Sequence, residues 1–189
     1  MQRKRSEYST TNRITDYLND SAKGISQLRH HIPKIIEIYE LLKNNPKNHV
    51  FSCGNGGSSS AASHLVNDLM IHGGVKAICL TDNTPTITAI ANDNSYENIF
   101  ADQLKCLAVS NDILIVFSGS GSSRNILKAI QVAIDEKMRI VAVVGTDGGD
   151  ILKTYKEKID FLIHVPIPMS NYEDASVMFI HILMKLFNC

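Results

Sequence analysis

Five short apolar runs, separated by helical patterns, constrain the fold of this 189-residue chain most strongly. Each run has the length of one strand and is apolar along its length, as expected for strands buried on both faces of a parallel sheet. The predicted strands are His49–Cys53, Lys76–Leu80, Asp112–Phe117, Arg139–Val144 and Phe161–Val165. The predicted helices between and after them are Ser59–Met70, Pro85–Ala91, Asn98–Leu107, Arg124–Glu136, Asp150–Tyr155 and Asn171–Phe187. We therefore expect an α/β fold of three layers, with helices on both faces of a five-stranded parallel sheet.

The segment before the first strand predicts helices of its own. Ile14, Leu18, Ile25 and Leu28 recur at helical spacing, and Asn44-Asn45-Pro46 ends the pattern. No repeat or linker divides the chain, so we expect one domain over residues 1–189. It comprises an N-terminal helical segment, residues 1–48, and an α/β core, residues 49–189.

Charge and composition exclude several classes of partner. The 19 basic and 19 acidic residues cancel, which argues against nucleic acid or an acidic membrane surface as partner. No apolar stretch is long enough to span a bilayer, and no apolar run follows Arg3-Lys4-Arg5, so no signal peptide is expected. The four cysteines form no Cys-x-x-Cys pair and favour a reducing cytoplasm over a disulfide scaffold.

Two loops rich in glycine and serine each follow a predicted strand and precede a helix. The first is Gly54–Ser60 and the second is Ser118–Ser123. Glycines let the backbone approach an anion, helix N-termini offer unpaired N–H groups, and serine hydroxyls add donors without charge. Because ligands bind beyond the carboxyl ends of parallel strands, these loops predict a phosphate site. Flexible turns with serine caps are the alternative.

The same loops exclude two common nucleotide-binding motifs. No Gly-Lys-Ser/Thr follows, as a Walker A loop would require. Gly54-x-Gly56 also lacks the third glycine of a dinucleotide fingerprint. The predicted anion is therefore not assigned to a nucleotide.

Two pairs of titratable residues are candidates for chemistry. His64 and Asp68 are four residues apart on one predicted helix, and Glu173 and His181 are eight apart on the last one. Each spacing places a pair on about one helix face. The pairs could form an acid–base set or a metal site of two histidines and two carboxylates. Structural histidines and solvated carboxylates are the alternative, and Asp93 is interpreted as either a helix cap or a sugar ligand.

Several motifs in order resemble one family. They are Cys53-Gly54-Asn55-Gly56-Gly57-Ser58 with His64 six residues on, Ala89-Ile90-Ala91-Asn92-Asp93, Ser118–Ser123, Thr146-Asp147-Gly148-Gly149 and Ile180-His181-Ile182-Leu183. From about residue 15 to its end the chain resembles the sugar isomerase (SIS) domain of phosphoheptose isomerases. The resemblance implies conversion of sedoheptulose 7-phosphate to D-glycero-D-manno-heptose 7-phosphate for bacterial lipopolysaccharide or capsule. It also implies a homotetramer with active sites between subunits.

The resemblance also assigns roles to residues. It implies substrate binding by Asn55, Gly56, Gly57, Ser58, Asn92, Asp93, Ser118, Gly119, Ser120, Ser123 and Glu173. It places His64, Asp68, Glu173 and His181 at the family's metal and catalytic positions, with Zn²⁺ as the expected metal. We assign Asp68 as the base, with Glu173 as its competitor, and His181 as the acid.

This chain departs from the family pattern at three places. Asp68 stands where the family usually has Glu, Glu173 stands where it often has Gln, and Asn171–Asp174 replaces an Arg-Ile-Gln-Glu run. Two other functions therefore stay open. One is a non-catalytic SIS module that binds phosphosugars, or that acts as a tetrameric partner of the bacterial replication initiator. The other is isomerisation of a different sugar phosphate.

Overall fold

The structure, a computed structural model, describes residues 10–187. The basic Arg3-Lys4-Arg5 segment and Cys189 lie outside the described residues. Helix α1 (Thr10–Gln27) leads through a 3₁₀ turn into α2 (Ile32–Asn44). Pro33 lies in the first turn of α2, where a fixed φ suits the helix and the missing N–H costs nothing. The prediction of N-terminal helices is confirmed.

The five predicted strands form one parallel sheet. They are β1 (His49–Cys53), β2 (Lys76–Cys79), β3 (Ile113–Ser118), β4 (Arg139–Val144) and β5 (Phe161–His164). Their order across the sheet is β2-β1-β3-β4-β5, and every neighbouring pair is parallel. The apolar runs therefore predicted every strand to within one residue at each end.

Within the described residues, five further helices complete the fold. They are α3 (Gly57–Ile71), α4 (Thr84–Asp93), α5 (Ala101–Leu107), α6 (Arg124–Asp135) and α7 (Met169–Phe187). Two predicted helices differ in detail. The segment predicted from Asp150 is a single π-helical turn, Ile151–Tyr155, and a separate 3₁₀ turn, Tyr96–Asn98, precedes α5. Helix nucleation is unfavourable, and a segment this short forms few hydrogen bonds to offset it. Contacts with the rest of the protein, rather than the sequence pattern, therefore decide which kind of turn forms.

The sheet separates two apolar cores. Successive strand residues point to opposite faces, so Val50 packs in one core and Phe51 in the other. The first core joins the sheet to α2, α3 and α7, and the second joins it to α5 and α6. This arrangement confirms the predicted three-layer α/β fold. Within residues 10–187 no helix has both the length and the apolar content to cross a bilayer.

Candidate active site

A crevice opens where the order of the strands reverses. From β1 the chain crosses first to β2 on one side and then to β3 on the other. In sheets of this order, ligands bind at that switch point, beyond the carboxyl ends of the strands. Both glycine-serine loops lie there, since one follows β1 and the other follows β3.

The loop after β3 is folded by its own hydroxyl groups. The Oγ of Ser118 accepts a hydrogen bond from the Gly121 N–H at 3.1 Å, and the Oγ of Ser120 accepts one from the Ser122 N–H at 3.2 Å. Gly121 has a φ of +66° and lies against the Gly148 carbonyl, in a position that a Cβ would overlap. These contacts hold the loop closed in front of α6.

A small cavity lies between the two loops. Its volume is about 130 Å³, which is room for more than a single water molecule. The residues that line it are Asn55, Ser58, Phe117, Ser118, Gly119, Ser120, Ser123, Met169 and Glu173. No lysine or arginine is among these described lining residues. Hydroxyl and amide donors beside the N-termini of α3 and α6 are thus available to an anion bound in the cavity.

Most of the predicted substrate ligands meet in this cavity. The predicted residues in its lining are Asn55, Ser58, Ser118, Gly119, Ser120, Ser123 and Glu173. Gly57 borders the cavity through its contact with Glu173. Gly56 is an exposed residue just before α3.

Asn92 and Asp93 lie apart from the cavity lining. Both are exposed at the end of α4, and the Asn92 amide donates to the Asp93 carboxylate at 2.8 Å. Asp93 is the last residue of α4, which has no buried residue. In the described chain these two residues therefore face solvent.

Glu173 faces the start of α3. Its carboxylate lies against Gly57, where a Cβ would overlap it. This contact brings the first turn of α3 and the second turn of α7 together beside the cavity. A carboxylate at a helix N-terminus is stabilised by the helix dipole.

The other titratable residues gather farther along the same two helices. The Nε2 of His64 is 3.2 Å from the Oδ2 of Asp68, and the ring centroids of His64 and His181 are 5.3 Å apart. The i,i+4 pair predicted from spacing is therefore formed. The His64 side chain is 41% exposed and that of Asp68 15% exposed, so the cluster borders solvent. Glu173 is eight residues before His181, roughly 12 Å along the helix axis.

The donor types at this cluster suit zinc, but the described residues do not assemble a metal site. Imidazole and carboxylate are common zinc ligands. Within residues 10–187, however, no group of three or more His, Cys, Asp or Glu side chains is arranged to hold a metal ion. The structure of one chain therefore supplies ligand chemistry without a closed coordination set.

Comparison with known proteins decides the family. The profile of the SIS domain matches residues 16–145. The chain is similar to the phosphoheptose isomerase of Chromohalobacter salexigens, with 34% identity over 187 residues, or 93% of each chain. This chain belongs to the phosphoheptose isomerases of the SIS domain family.

Further phosphoheptose isomerases agree with that placement. The one from Alteromonas mediterranea is 41% identical over 142 residues, which cover 72% of this chain and 69% of that protein. The solved phosphoheptose isomerase of Neisseria gonorrhoeae has a TM-score of 0.87 at 26% identity, covering 95% of this chain and 99% of that one. The resemblance inferred from the motifs is confirmed.

In this member of the phosphoheptose isomerase family, several residues of the site were not predicted from the sequence. Phe117 and Met169 line the cavity, yet nothing distinguishes them from core residues in the sequence. Tyr172 is buried beneath the loops; its hydroxyl donates to the Val143 carbonyl at 2.7 Å, and burial raises its pKa. Its ring fills the space beside Gly119 and Gly145. The one sequence feature that could have indicated Tyr172 is its position in the Asn171–Asp174 run, which departs from the family pattern.

Proposed function

We propose that this chain is an aldose–ketose isomerase that converts sedoheptulose 7-phosphate to D-glycero-D-manno-heptose 7-phosphate. One observation carries the proposal: a cavity lined by serine hydroxyls and the Asn55 amide, with the Glu173 carboxylate at its edge, lies at the switch point. It lies on the same helix pair as the carboxylate of Asp68 and the imidazoles of His64 and His181. The relatives named phosphoheptose isomerase support the choice of reaction.

The cavity is assigned to the phosphate. Ser58, Ser118, Ser120 and Ser123 donate hydroxyl hydrogens, and the first turns of α3 and α6 supply backbone N–H groups and positive dipole ends. Binding energy from this remote end holds the reacting carbons in place, which lowers the barrier without contact at those carbons.

Asp68 and His181 are assigned to proton transfer. Asp68 removes a proton from C1 of the open-chain ketose while His181 protonates the C2 carbonyl oxygen, which gives an enediol. Asp68 then returns a proton to C2, and the O1 proton leaves to His181, which restores both residues. His64, paired with Asp68 at 3.2 Å, keeps that carboxylate oriented.

Asp68 is preferred to Glu173 as the base because of where each lies. Glu173 contacts Gly57 at the phosphate cavity, whereas Asp68 lies with His64. The roughly 12 Å of helix between Glu173 and His181 suits a substrate with its phosphate at the opposite end of the carbon chain from C1 and C2.

Zinc is part of this proposal as a cofactor. The ligand set that the resemblance implies is His64, Asp68, Glu173 and His181. These residues would hold the ion with the Glu173 side chain turned away from Gly57 toward His181, and a bound ion would polarise the sugar carbonyl. Because residues 10–187 of one chain do not assemble a three-ligand set, we assign the proton transfers to side chains alone. Elemental analysis of the purified protein tests the cofactor: stoichiometric zinc supports it, and metal-free protein with full turnover contradicts it.

The assembly proposed is a homotetramer with active sites between subunits. Only Ser21 and Gly24 of the 18 residues of α1 are buried, while Ile14 and Leu18 are 57% and 61% exposed. An apolar groove beside this helix is lined by residues of α1, α2 and α7, among them Ile35 and Met178. An exposed apolar groove indicates a protein partner, and we propose that a second copy of the chain covers it.

Light scattering tests the assembly. We expect the wild-type mass to equal four chains and the Leu18→Glu variant to have a lower mass. Glu37→Gln changes an exposed residue of α2 and serves as the control. A monomeric wild-type protein would contradict the proposal.

The cellular setting belongs to the same proposal. Cys53 and Cys79 are buried as free thiols, and Cys106 is a free thiol at the surface, which suits a reducing cytoplasm. We place the product in the synthesis of bacterial surface glycans, lipopolysaccharide or capsule.

A substrate panel tests the reaction and its alternatives. The protein is incubated with sedoheptulose 7-phosphate and with pentulose and hexulose phosphates, and aldose formation is followed. We expect the heptulose to be converted fastest. Preference for a shorter sugar would support the other isomerase, and sugar-phosphate binding without turnover would support the non-catalytic module.

A further inference from the structure

The amide of Asn55 could present either of two groups to the cavity. Its Nδ2 can donate hydrogen bonds and its Oδ1 can only accept them, although the two ends have the same shape. A phosphoryl group needs donors. The affinity of the site therefore depends on which end of the amide faces the cavity, and the contacts behind Asn55 decide that.

Asn125 fixes the orientation of this amide from the buried side. Asn125 is 3% exposed, and its Oδ1 accepts a hydrogen bond from the Ile126 N–H at 3.0 Å. Because a backbone N–H can only donate, this contact identifies the oxygen end of Asn125. Its Nδ2 then donates to the Asn55 Oδ1 at 2.8 Å, and the Asn55 Nδ2 donates back to the Asn125 Oδ1 at 2.9 Å.

Tyr96 completes the arrangement from the solvent side. Its hydroxyl donates to the same Asn55 Oδ1 at 3.0 Å, while the side chain is 57% exposed. The two lone pairs of Oδ1 are then both engaged. One hydrogen of the Asn55 Nδ2 is used by Asn125, so the remaining polar group of Asn55 is an N–H donor.

We propose that Asn125 and Tyr96 are positioning residues that hold the Asn55 amide with its N–H group toward the bound phosphate. Neither residue lines the cavity. The proposal rests on the proposed function in taking the bound anion to be the phosphoryl group of the substrate. It adds two residues that the family motifs did not assign to the phosphate site in this chain: Tyr96 at its rim and Asn125 as its buried support.

Calorimetric titration of the full chain with inorganic phosphate is the test. Loss of one neutral hydrogen bond changes an affinity by about 2- to 10-fold, so we expect Tyr96→Phe and Asn125→Ala each to raise the Kd by that factor. Tyr155→Phe and Gln131→Ala, at positions that do not line the cavity, should leave the Kd unchanged. Unchanged affinity in both test variants, or no phosphate binding by the wild type, would overturn the proposal.

A double-mutant cycle separates positioning from simple structural support. In an Asn55→Ala background there is no amide to orient, so Tyr96→Phe should have no further effect on the Kd. If Tyr96→Phe raises the Kd as much in that background as in the wild type, the proposal is contradicted. It is also contradicted if partial unfolding of the variant, seen as a lowered melting temperature, explains the loss of affinity. Because the ligand is inorganic phosphate, these results stand whether or not sedoheptulose 7-phosphate is turned over, so failure of the proposed reaction is detected separately.

Discussion

The carboxylate of Glu173 occupies the space that a side chain at Gly57 would fill. The contact joins the second turn of α7 to the first turn of α3 beside the phosphate cavity. It also explains why a helix begins with glycine here, although glycine costs about 1 kcal/mol relative to alanine inside a helix.

Gly57→Ala tests this contact. The added methyl group should displace the Glu173 carboxylate into the cavity, so we expect weaker binding of inorganic phosphate, by about 10-fold, and lower turnover. The melting temperature should stay close to that of the wild type because alanine favours the helix. In Gly57→Ala/Glu173→Ala the obstruction is gone, and phosphate affinity should recover. An unaltered Kd in the single variant would show that Glu173 does not limit the cavity.

Ser58→Ala should weaken phosphate binding. Ser58 is buried and lines the cavity, so its loss removes one neutral donor, worth about 1 kcal/mol or roughly 5-fold in Kd. Ser60→Ala is the matched control because Ser60 lies two residues on in α3 and is exposed. Equal affinities for the two variants, measured by titration calorimetry, would place the phosphate elsewhere.

His181→Ala should lower kcat by about 100-fold or more, the usual contribution of a general acid. The affinity for inorganic phosphate should be unchanged because the cavity lies about two helical turns from His181. Steady-state kinetics and calorimetry on the same sample separate the two effects. A loss of phosphate binding that matched the loss of kcat would contradict separate phosphate and proton-transfer regions.

Acid should destabilise the protein partly through His31. Its Nε2 lies 2.8 Å from the His164 carbonyl oxygen. Burial lowers its pKa below the ordinary 6.5; the hydrogen bond to the His164 carbonyl opposes this shift, and the charges of Lys34, His164 and His30 add to it. Below about pH 6.5 the unfolded chain therefore takes up a proton first, and the stability gained by keeping His31 neutral falls as the pH approaches the folded-state pKa.

The variant His31→Gln tests that effect. Between pH 7.5 and 5 its melting temperature should fall less than that of the wild type, because glutamine does not titrate. His30→Gln is the control, because His30 is the adjacent residue and its side chain is exposed. Parallel melting curves for wild type and His31→Gln would exclude a contribution from His31.

The sequence predicted those features that depend on local pattern. The apolar runs located the strands because burial on both faces leaves few polar positions inside them. Ser52 in β1 is buried, and its hydroxyl donates to the Ile115 carbonyl. The i,i+4 spacing predicted the contact of His64 with Asp68, since one helical turn fixes it. The glycine-serine loops predicted the cavity because their residues follow β1 and β3 directly.

Features that depend on tertiary contacts were not predictable in the same way. Asn55 and Asn125 pair across 70 residues, and no local pattern indicates which distant amide will meet another. The eight-residue spacing of Glu173 and His181 gave their common face but not the partners on α3, which place them at two different parts of the site. Asp150–Tyr155 was predicted as a helix, yet the five residues Ile151–Tyr155 form only one π-helical turn.

Conversion of sedoheptulose 7-phosphate by wild type and Asp68→Asn tests the central claim most directly. Aldose formation is followed for both proteins and for Glu136→Gln, which removes an exposed carboxylate of the chain, while phosphate affinity is measured in parallel. We predict turnover by the wild type and by Glu136→Gln, and a loss of about 100-fold or more in Asp68→Asn with phosphate binding retained. Absence of turnover in the wild type, or near-normal turnover in Asp68→Asn, would contradict the account.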